Sequence, residues 1–139
     1  MKRFAVMLMA LCLSLPVLGE RKKSFDDLDV HYSAFNSSFL QPDVAAAKNL
    51  VRSKNQGVLN IAVLKAGNPS TANVSGIAKD LVGREQVLTF RQVTEGDAIY
   101  YLAQFTITQQ EMLRFTVNVS AGGSETHRLE FNQEVFPEP

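Results

Sequence analysis

The sequence predicts a mainly β protein, an antiparallel immunoglobulin-like β-sandwich of about seven strands with one short helix after the first strand. Apolar and polar residues alternate along most of the chain from residue 28 onward, as in strands with one buried face. Turn-forming residues at 95–97 and 121–124 separate the alternating stretches. Short strands divided by turns are typical of a sandwich. Because the chain has no tryptophan and only one cysteine, the immunoglobulin signature is incomplete, and a single twisted sheet with the helix against one face is the alternative.

The alternating stretches differ in the composition of their two faces. Residues 58–64 are apolar on both faces, which predicts a central strand that is covered on both sides. Residues 71–81 are small and polar, which predicts a strand at a sheet edge. The remaining stretches each have one apolar face and lie at 28–34, 87–91, 99–107, 113–119 and 129–135.

Residues 42–54 are predicted to form the helix. Pro42 suits the first helical turn, where its missing N–H costs nothing. The three alanines at 45–47 are strong helix formers, and Val44, Ala47 and Val51 fall on one face at helical spacing. Gly57 is suited to follow the end of such a helix.

Residues 1–19 are predicted to be a cleavable signal peptide. Lys2 and Arg3 precede an apolar run from Phe4 to Leu15, and Val17-Leu18-Gly19 supplies compact residues before a cut at Glu20. An uncleaved membrane anchor is the alternative interpretation. The apolar run is shorter than the roughly twenty residues that a spanning helix needs, so export is favoured and a periplasmic location is predicted.

Cleavage after Gly19 would leave a flexible polar lead at 20–27 and a single domain at 28–139. All fourteen acidic residues but only twelve of the fourteen basic ones follow residue 19, so the mature chain has a net charge of −2. No strong positive field would attract nucleic acid, and none is predicted as a partner. Cys12 leaves with the signal peptide, so the mature domain has no disulfide and no thiol chemistry.

The sequence carries no recognisable catalytic motif. It lacks a glycine-rich phosphate loop, a dinucleotide fingerprint and a serine nucleophile elbow, and no cofactor or metal is predicted. His31 and His127 are the only histidines, and they lie almost a hundred residues apart. Asp26, Asp27 and Asp29 match no calcium-loop spacing and are interpreted as a solvated acidic cluster.

The region from Val30 to Leu64 resembles a family of small exported proteins of Gram-negative bacteria, known only as domain of unknown function 4426. The residues that carry the resemblance are His31-Tyr32-Ser33-Ala34-Phe35-Asn36, Phe39-Leu40-Gln41-Pro42, Val51-Arg52-Ser53-Lys54-Asn55-Gln56-Gly57 and Asn60-Ile61-Ala62-Val63-Leu64. The resemblance implies a periplasmic domain similar to a β-sandwich, and it implies no activity.

The candidate binding residues are His31, Arg52 and Asn60, which lie in this polar-rich region. Two functions are weighed. The favoured one is a non-catalytic binding or protein-interaction module of the cell envelope, whose partner, an envelope protein, could add a strand to the polar edge at Thr71–Ala78. The alternative is a small hydrolase or metal-dependent enzyme that uses His31 or His127.

Overall fold

Ten strands and one short helix form the protein over residues 21–122 and 125–137, the part of the chain that the computed structural model describes. The helix α1 (Pro42–Ala47) follows a 3-10 turn at Ser37–Phe39. The strands are β1 (Arg21–Phe25), β2 (Leu28–Asn36), β3 (Gln56–Lys65), β4 (Asn68–Pro69), β5 (Asn73–Lys79), β6 (Glu85–Leu88), β7 (Arg91–Glu95), β8 (Ala98–Thr106), β9 (Glu111–Ser120) and β10 (His127–Val135). The predicted signal peptide at 1–19 lies outside the described residues. Within them, no helix is long and apolar enough to cross a bilayer.

The strands form two antiparallel sheets. The six-stranded sheet has the order β1-β2-β3-β8-β7, with β4 paired to β3, and the four-stranded sheet has the order β10-β9-β5-β6. The prediction of a mainly β, antiparallel fold is therefore confirmed, and the single-sheet alternative is wrong. The seven-strand immunoglobulin-like arrangement is not confirmed, since the described residues contain ten strands. The predicted stretch at 87–91 is in fact divided between β6 and β7, because the chain passes from one sheet to the other at Thr89 and Phe90.

The hydrophobic core lies between the two sheets. The ring of Phe115 is 5.1 Å from that of Phe105 in the opposite sheet and 5.0 Å from that of Phe131. Tyr32 of the six-stranded sheet packs on Phe131 at 4.5 Å. Aromatic pairs at these separations add to the stability that area burial gives, so they fix how the sheets face each other.

β3 is a central strand, as its two apolar faces predicted. It pairs with β2 on one side and β8 on the other, and Leu59, Ile61 and Val63 point into the core. Val58, which points to the opposite, outer face of the sheet, is also fully buried. The connection between β2 and β3 crosses this outer face, where the side-chain amide of Gln104 accepts from the N–H of Val51 at 3.0 Å and donates to its carbonyl at 2.8 Å.

The helix is shorter than predicted, ending at Ala47 rather than Lys54. Asn49 has a left-handed backbone with φ of 55°, which ends the helical path. Beyond it the backbone bonds to distant groups, since the N–H of Ser53 donates to the hydroxyl of Ser37 at 2.9 Å and Val51 is held by Gln104. These tertiary bonds replace the helical bonds that local propensity would favour.

Residues 20–27 also differ from the predicted flexible lead, because Arg21–Phe25 pair with β2 as strand β1. Side chains at both ends of β1 hold it in place. The guanidinium of Arg21 lies 5.0 Å from the ring centroids of Tyr32 and Phe131, and the ring of Phe25 stacks on His127 at 4.7 Å. The polar composition of the segment reflects its place at a sheet edge.

The polar stretch at 71–81 does not form an edge strand, so that prediction is wrong. Its strand β5 pairs with β9 along its whole length and with β6 from Gly76 onward. A Cβ at Gly76 would lie 2.5 Å from the carbonyl oxygen of Thr116, so glycine permits the close approach of β9. Small residues in this strand therefore reflect close packing of neighbouring backbone.

The two lateral sides of the sheet pair are closed by different contacts. On the β6 side, the amide of Gln86 accepts from the N–H of Thr106 at 2.7 Å and donates to its carbonyl at 3.0 Å. These bonds link the edge of the four-stranded sheet to β8. On the β10 side, Arg21 donates to the side-chain oxygen of Gln133 at 2.9 Å, Asn36 donates to the carbonyl of Phe136 at 2.7 Å, and the side is open between these two bonds.

Candidate functional site

An apolar recess of about 350 Å³ lies on the open side, between the ends of β2 and β10. We call it the edge groove. One wall is the end of β2, the other is the end of β10 with the residues after it, and Phe39 of the 3-10 turn lies at the rim. Its lining consists of Ala34, Phe35, Asn36, Phe39, Gln133, Glu134, Val135 and Phe136.

The edge groove lies beside the last four residues of β2. All nine residues of β2 pair with β3, whereas only Leu28–Tyr32 pair with β1. In the described part of the chain, Ser33–Asn36 therefore have no strand partner on their outer side. β10 is likewise the edge strand of its sheet and pairs only with β9. The groove thus lies between two sheet edges, one from each sheet.

Two phenylalanines at the rim of the edge groove are exposed to solvent. Phe39 is 65% exposed and Phe136 is 48% exposed. Exposed aromatic rings give up the free energy that burial would provide, so a pair of them beside an apolar recess marks a candidate interaction surface.

Hydrogen bonds fix the backbone that carries these two rings. The side-chain amide of Asn36 donates to the carbonyl of Phe136 at 2.7 Å. The hydroxyl of Ser37, which is fully buried, donates to the carbonyl of Ser53 at 3.0 Å and accepts from its N–H at 2.9 Å. The rim is therefore held in position by side chains that bond across the fold.

The predicted binding residues lie elsewhere. His31 and Asn60 share the outer face of the six-stranded sheet and are diagonal neighbours, because His31 pairs with Ala62 and Asn60 pairs with Ser33. The side-chain oxygen of Asn60 is buried and has no hydrogen-bond partner. Arg52 is exposed on the connection after α1 and donates to the carbonyl of Ser38 at 3.1 Å. None of the three lines the edge groove.

His127 lies at the other end of the molecule, in a recess of about 160 Å³ lined by Phe25, Asp26, Asp27, Leu28, Lys65, Glu125 and His127. Its ring stacks on Phe25, which shares the inner face of the six-stranded sheet with Leu28. His31 points to the outer face of that sheet, so the two histidines lie on opposite sides of it. Among residues 21–122 and 125–137, no group of three or more His, Cys, Asp or Glu side chains is placed to hold a metal ion.

The lining of the edge groove is mainly apolar. Its walls suit an apolar side chain, and the lining contains no histidine, cysteine, serine or lysine. Sequence reasoning missed Phe39 and Phe136. The available signal was that both are aromatic residues outside the alternating strands, one in a polar turn and the other next to Pro137.

The family model described as "Domain of unknown function (DUF4426)" matches residues 22–138. The chain belongs to the DUF4426 family. It is similar to the crystal structure of a DUF4426 family protein from Pseudomonas aeruginosa PAO1, with 52% sequence identity and a TM-score of 0.83 over 89% of this chain and 100% of that chain. The resemblance seen in the Val30–Leu64 region is thus confirmed for nearly the whole domain. No curated protein matches.

DUF4426 chains share their fold with more distant proteins. This chain is similar to FetP of uropathogenic Escherichia coli strain F11, recombinantly expressed in the periplasm, with 11% identity and a TM-score of 0.61 over 85% of this chain and 94% of that chain. A copper-bound variant of FetP has 10% identity and a TM-score of 0.64 over 84% of this chain and 95% of that chain. At this identity the likeness is one of fold.

Because the FetP variant is copper-bound, the described residues of this DUF4426 chain were compared with the ligands that a copper ion needs. Copper in proteins is bound by imidazole, thiolate and thioether groups. In the described ranges the histidines are separated by the six-stranded sheet, the sole methionine is Met112 on the other sheet, and no cysteine is present. The described residues therefore do not fit a copper centre.

Proposed function

We propose that this protein is a non-catalytic binding module of the cell envelope, which takes a polypeptide partner at the edge groove. The observation that carries the proposal is the pair of exposed rings, Phe39 and Phe136, beside an apolar recess. Aromatic side chains beside a pocket are typical energetic centres of protein interfaces. The shared core of the two sheets supplies a rigid framework for such a surface.

We further propose that the protein works in the periplasm after cleavage behind Gly19. The charged, apolar and compact-residue order of residues 1–19 supports this, and so does the fold likeness to FetP. Sequencing the amino terminus of the protein from a periplasmic fraction tests it. We expect the first residue to be Glu20, and an intact Met1 on membrane-bound protein would contradict it.

The groove is tested by comparing the native chain with a double variant, Phe39→Ala with Phe136→Ala. Immobilised native protein is used to capture proteins from an envelope extract, and the Kd of each purified partner is then measured. Loss of two rim rings should weaken binding by at least about tenfold. Because both rings are partly covered by neighbouring residues, the double variant should lose about 1–3 kcal/mol of the free energy of unfolding, and chemical denaturation checks that it remains folded under the binding conditions.

The matched control changes two exposed aliphatic residues far from the groove. Leu81 and Val82 are 82% and 75% exposed at the turn after β5, so Leu81→Ala with Val82→Ala removes apolar surface of the same kind. If the control weakens the partner as much as the rim variant does, the edge groove is not the binding surface.

His31 and Asn60 on the outer face, together with Arg52 on the connection after α1, are proposed as a second, polar binding surface, supported by the neighbouring positions of His31 and Asn60 and by the unpartnered Asn60 oxygen. The alternative of a metal-dependent enzyme using His31 or His127 is favoured only by the fold likeness to copper-bound FetP. Metal analysis of purified protein, followed by His31→Ala and His127→Ala, tests the enzyme, and the Kd of each captured partner for the His31→Ala variant tests the polar surface. A stoichiometric metal lost in either variant would support the enzyme.

A further inference from the structure

The strand β7, Arg91–Glu95, is the outermost strand of the six-stranded sheet on the side opposite β1. Among the described residues it pairs only with β8, so its outer edge has no strand partner there. We infer that β7 pairs along this edge with β7 of a second copy of the chain, antiparallel and centred on Val93, and so joins two six-stranded sheets into one. This surface is separate from the edge groove, and the inference goes beyond the binding function proposed above.

The backbone of β7 presents an open ladder. A two-residue loop joins β7 to β8, and the residues that flank such a loop exchange their backbone hydrogen bonds. Because the ladder alternates, the odd-numbered residues of β7 bond toward β8, whereas Gln92 and Thr94 direct their N–H and C=O groups to the outer edge. The strand contains no proline, and its register with β8 runs without a bulge, so two common protections against edge pairing are missing from it.

The proposed register agrees with this ladder. A two-fold axis at Val93 sets Gln92 of one copy opposite Thr94 of the other. These are the two residues whose backbone groups point outward, so each such pair can exchange both of its hydrogen bonds between the copies.

The charges of β7 are complementary to those of a second β7. Arg91 pairs with Leu102, which pairs with Asn60, so Arg91 lies on the outer face of the sheet. Val93 and Glu95 share that face, because side chains alternate along a strand. Under the same two-fold axis, Arg91 of each copy faces Glu95 of the other, and the two Val93 side chains meet between these pairs. Opposite charges in directly facing positions stabilise an antiparallel strand pair.

Both charged side chains can make these contacts in addition to those within the chain. The Nη1 of Arg91 donates to the carbonyls of Lys48 and Asn49 at 3.2 and 3.1 Å, and a guanidinium has further N–H donors. Glu95 forms an ion pair with Lys48, and its side chain is still 61% exposed, so it can accept from a second cation.

The other outer edge of the sheet lacks this complementarity. The charged residues of β1 are Arg21, Lys22 and Lys23, so that strand has no acidic side chain to offer a second copy. The chain has a formal net charge of zero, so two copies do not repel each other strongly at long range. β7 has five residues, whereas a standard interface takes about 20–30 residues from each partner, so the dimer should be weak, with a Kd of roughly 100 μM.

Sedimentation equilibrium tests the dimer on protein purified from a periplasmic fraction after expression of the full sequence. The average mass should rise from that of a monomer toward that of a dimer between about 10 μM and 1 mM. Arg91→Glu and Glu95→Arg each place like charges opposite one another, so each should weaken association by about tenfold or more. The control Arg128→Glu makes the same change of net charge at an exposed residue of β10 and should leave association unchanged.

Mixing the two charge variants distinguishes a contact between copies from damage within one chain. In β7 the Arg91→Glu variant has only acidic charges and the Glu95→Arg variant only basic ones, so their equimolar mixture should associate although neither does so alone. Bonds lost within each chain cannot be restored by mixing two altered chains. A mixture of folded variants that stays monomeric would overturn the inference.

Amide hydrogen exchange, followed by NMR at low and high protein concentration, locates the contact. Exchange should slow at Gln92 and Thr94 at high concentration but not at Val93, whose N–H already bonds to β8. Thr94→Pro removes an outward N–H at an edge position that tolerates proline, so it should abolish association while chemical denaturation shows a folded chain. A native chain that is monomeric at every concentration, or a dimer that persists in Thr94→Pro, contradicts pairing through β7.

Discussion

At the scale of single residues, Asp80 holds the turn between β5 and β6. One carboxylate oxygen accepts from the N–H groups of Val82 at 3.0 Å and Arg84 at 2.9 Å, and the other accepts from the side chain of Arg84 at 3.0 Å. The hydrogen bond from the Arg84 backbone is the main reason why the pKa of Asp80 is lowered. These bonds favour the ionised carboxylate.

We expect Asp80→Asn to lower the midpoint of thermal unfolding at neutral pH. Because folding lowers the pKa of Asp80, its contribution is present above the pKa of the unfolded state and is lost as the pH falls through the folded pKa. The difference between native protein and variant should therefore shrink in acid. Thermal unfolding across the acidic range checks this, and a difference that stays constant with pH would assign the effect to the lost hydrogen-bond geometry alone.

The candidate site illustrates what single residues reveal in the sequence. His31 and Asn60 could be placed on the polar or mixed faces of their strands by parity, and both lie on the outer face of the same sheet. The position of Phe39 and Phe136 outside the alternating strands was only a weak signal of their exposure, because an aromatic residue in a turn is as consistent with burial as with exposure. Its position depends on bonds such as that from Asn36 to Phe136, which join residues a hundred positions apart.

At the scale of elements, strand parity was the most informative signal. The two apolar faces of β3 predicted a covered central strand, and the crossing connection after α1 covers it. The same reasoning failed for β5, because small residues are found both at edges and where backbones approach closely. The prediction from local helix propensity failed for residues 48–54. There the N–H groups of Val51 and Ser53 bond to the side chains of Gln104 and Ser37 instead of continuing the helix.

Strand β1 depends on Arg21, which contacts two rings and Gln133. We expect Arg21→Ala to lower the free energy of unfolding by about 1–2 kcal/mol, from the lost cation–π contacts and hydrogen bond. Chemical denaturation measures the change, with Lys23→Ala as the control because Lys23 is an exposed β1 residue. If both variants are equally stable, the contacts of Arg21 do not hold β1.

At the scale of the whole molecule, stability must come from packing. The only cysteine precedes residue 20, so the proposed cut after Gly19 would leave a chain without a covalent cross-link, in which the core between the sheets carries the fold. We expect the midpoint of thermal unfolding of the protein purified from a periplasmic fraction after expression of the full sequence to be the same with and without a reducing agent. A drop on reduction would show that the cysteine is retained and that the chain is cross-linked through it.

The general architecture follows from alternation and turn spacing, but the division of strands between two sheets does not. No local sequence pattern marks the point at which the chain passes from one sheet to the other, as it does between β6 and β7. The number and order of strands depend on pairings between distant segments, such as that of β3 with β8. The sequence therefore predicted the class of the fold and left its topology open.

The bonds between Gln86 and Thr106 make the two lateral sides of the sheet pair unequal. They join the two sheets on one side, whereas the other side is bridged at Arg21 and at Asn36 and has a recess between these two bridges. Local opening motions between the two sheets should therefore be more frequent at β2 and β10 than on the β6 side. A ligand that fills the recess would damp those motions, so binding should raise the resistance of the native state to proteolysis even where the ligand makes no contact.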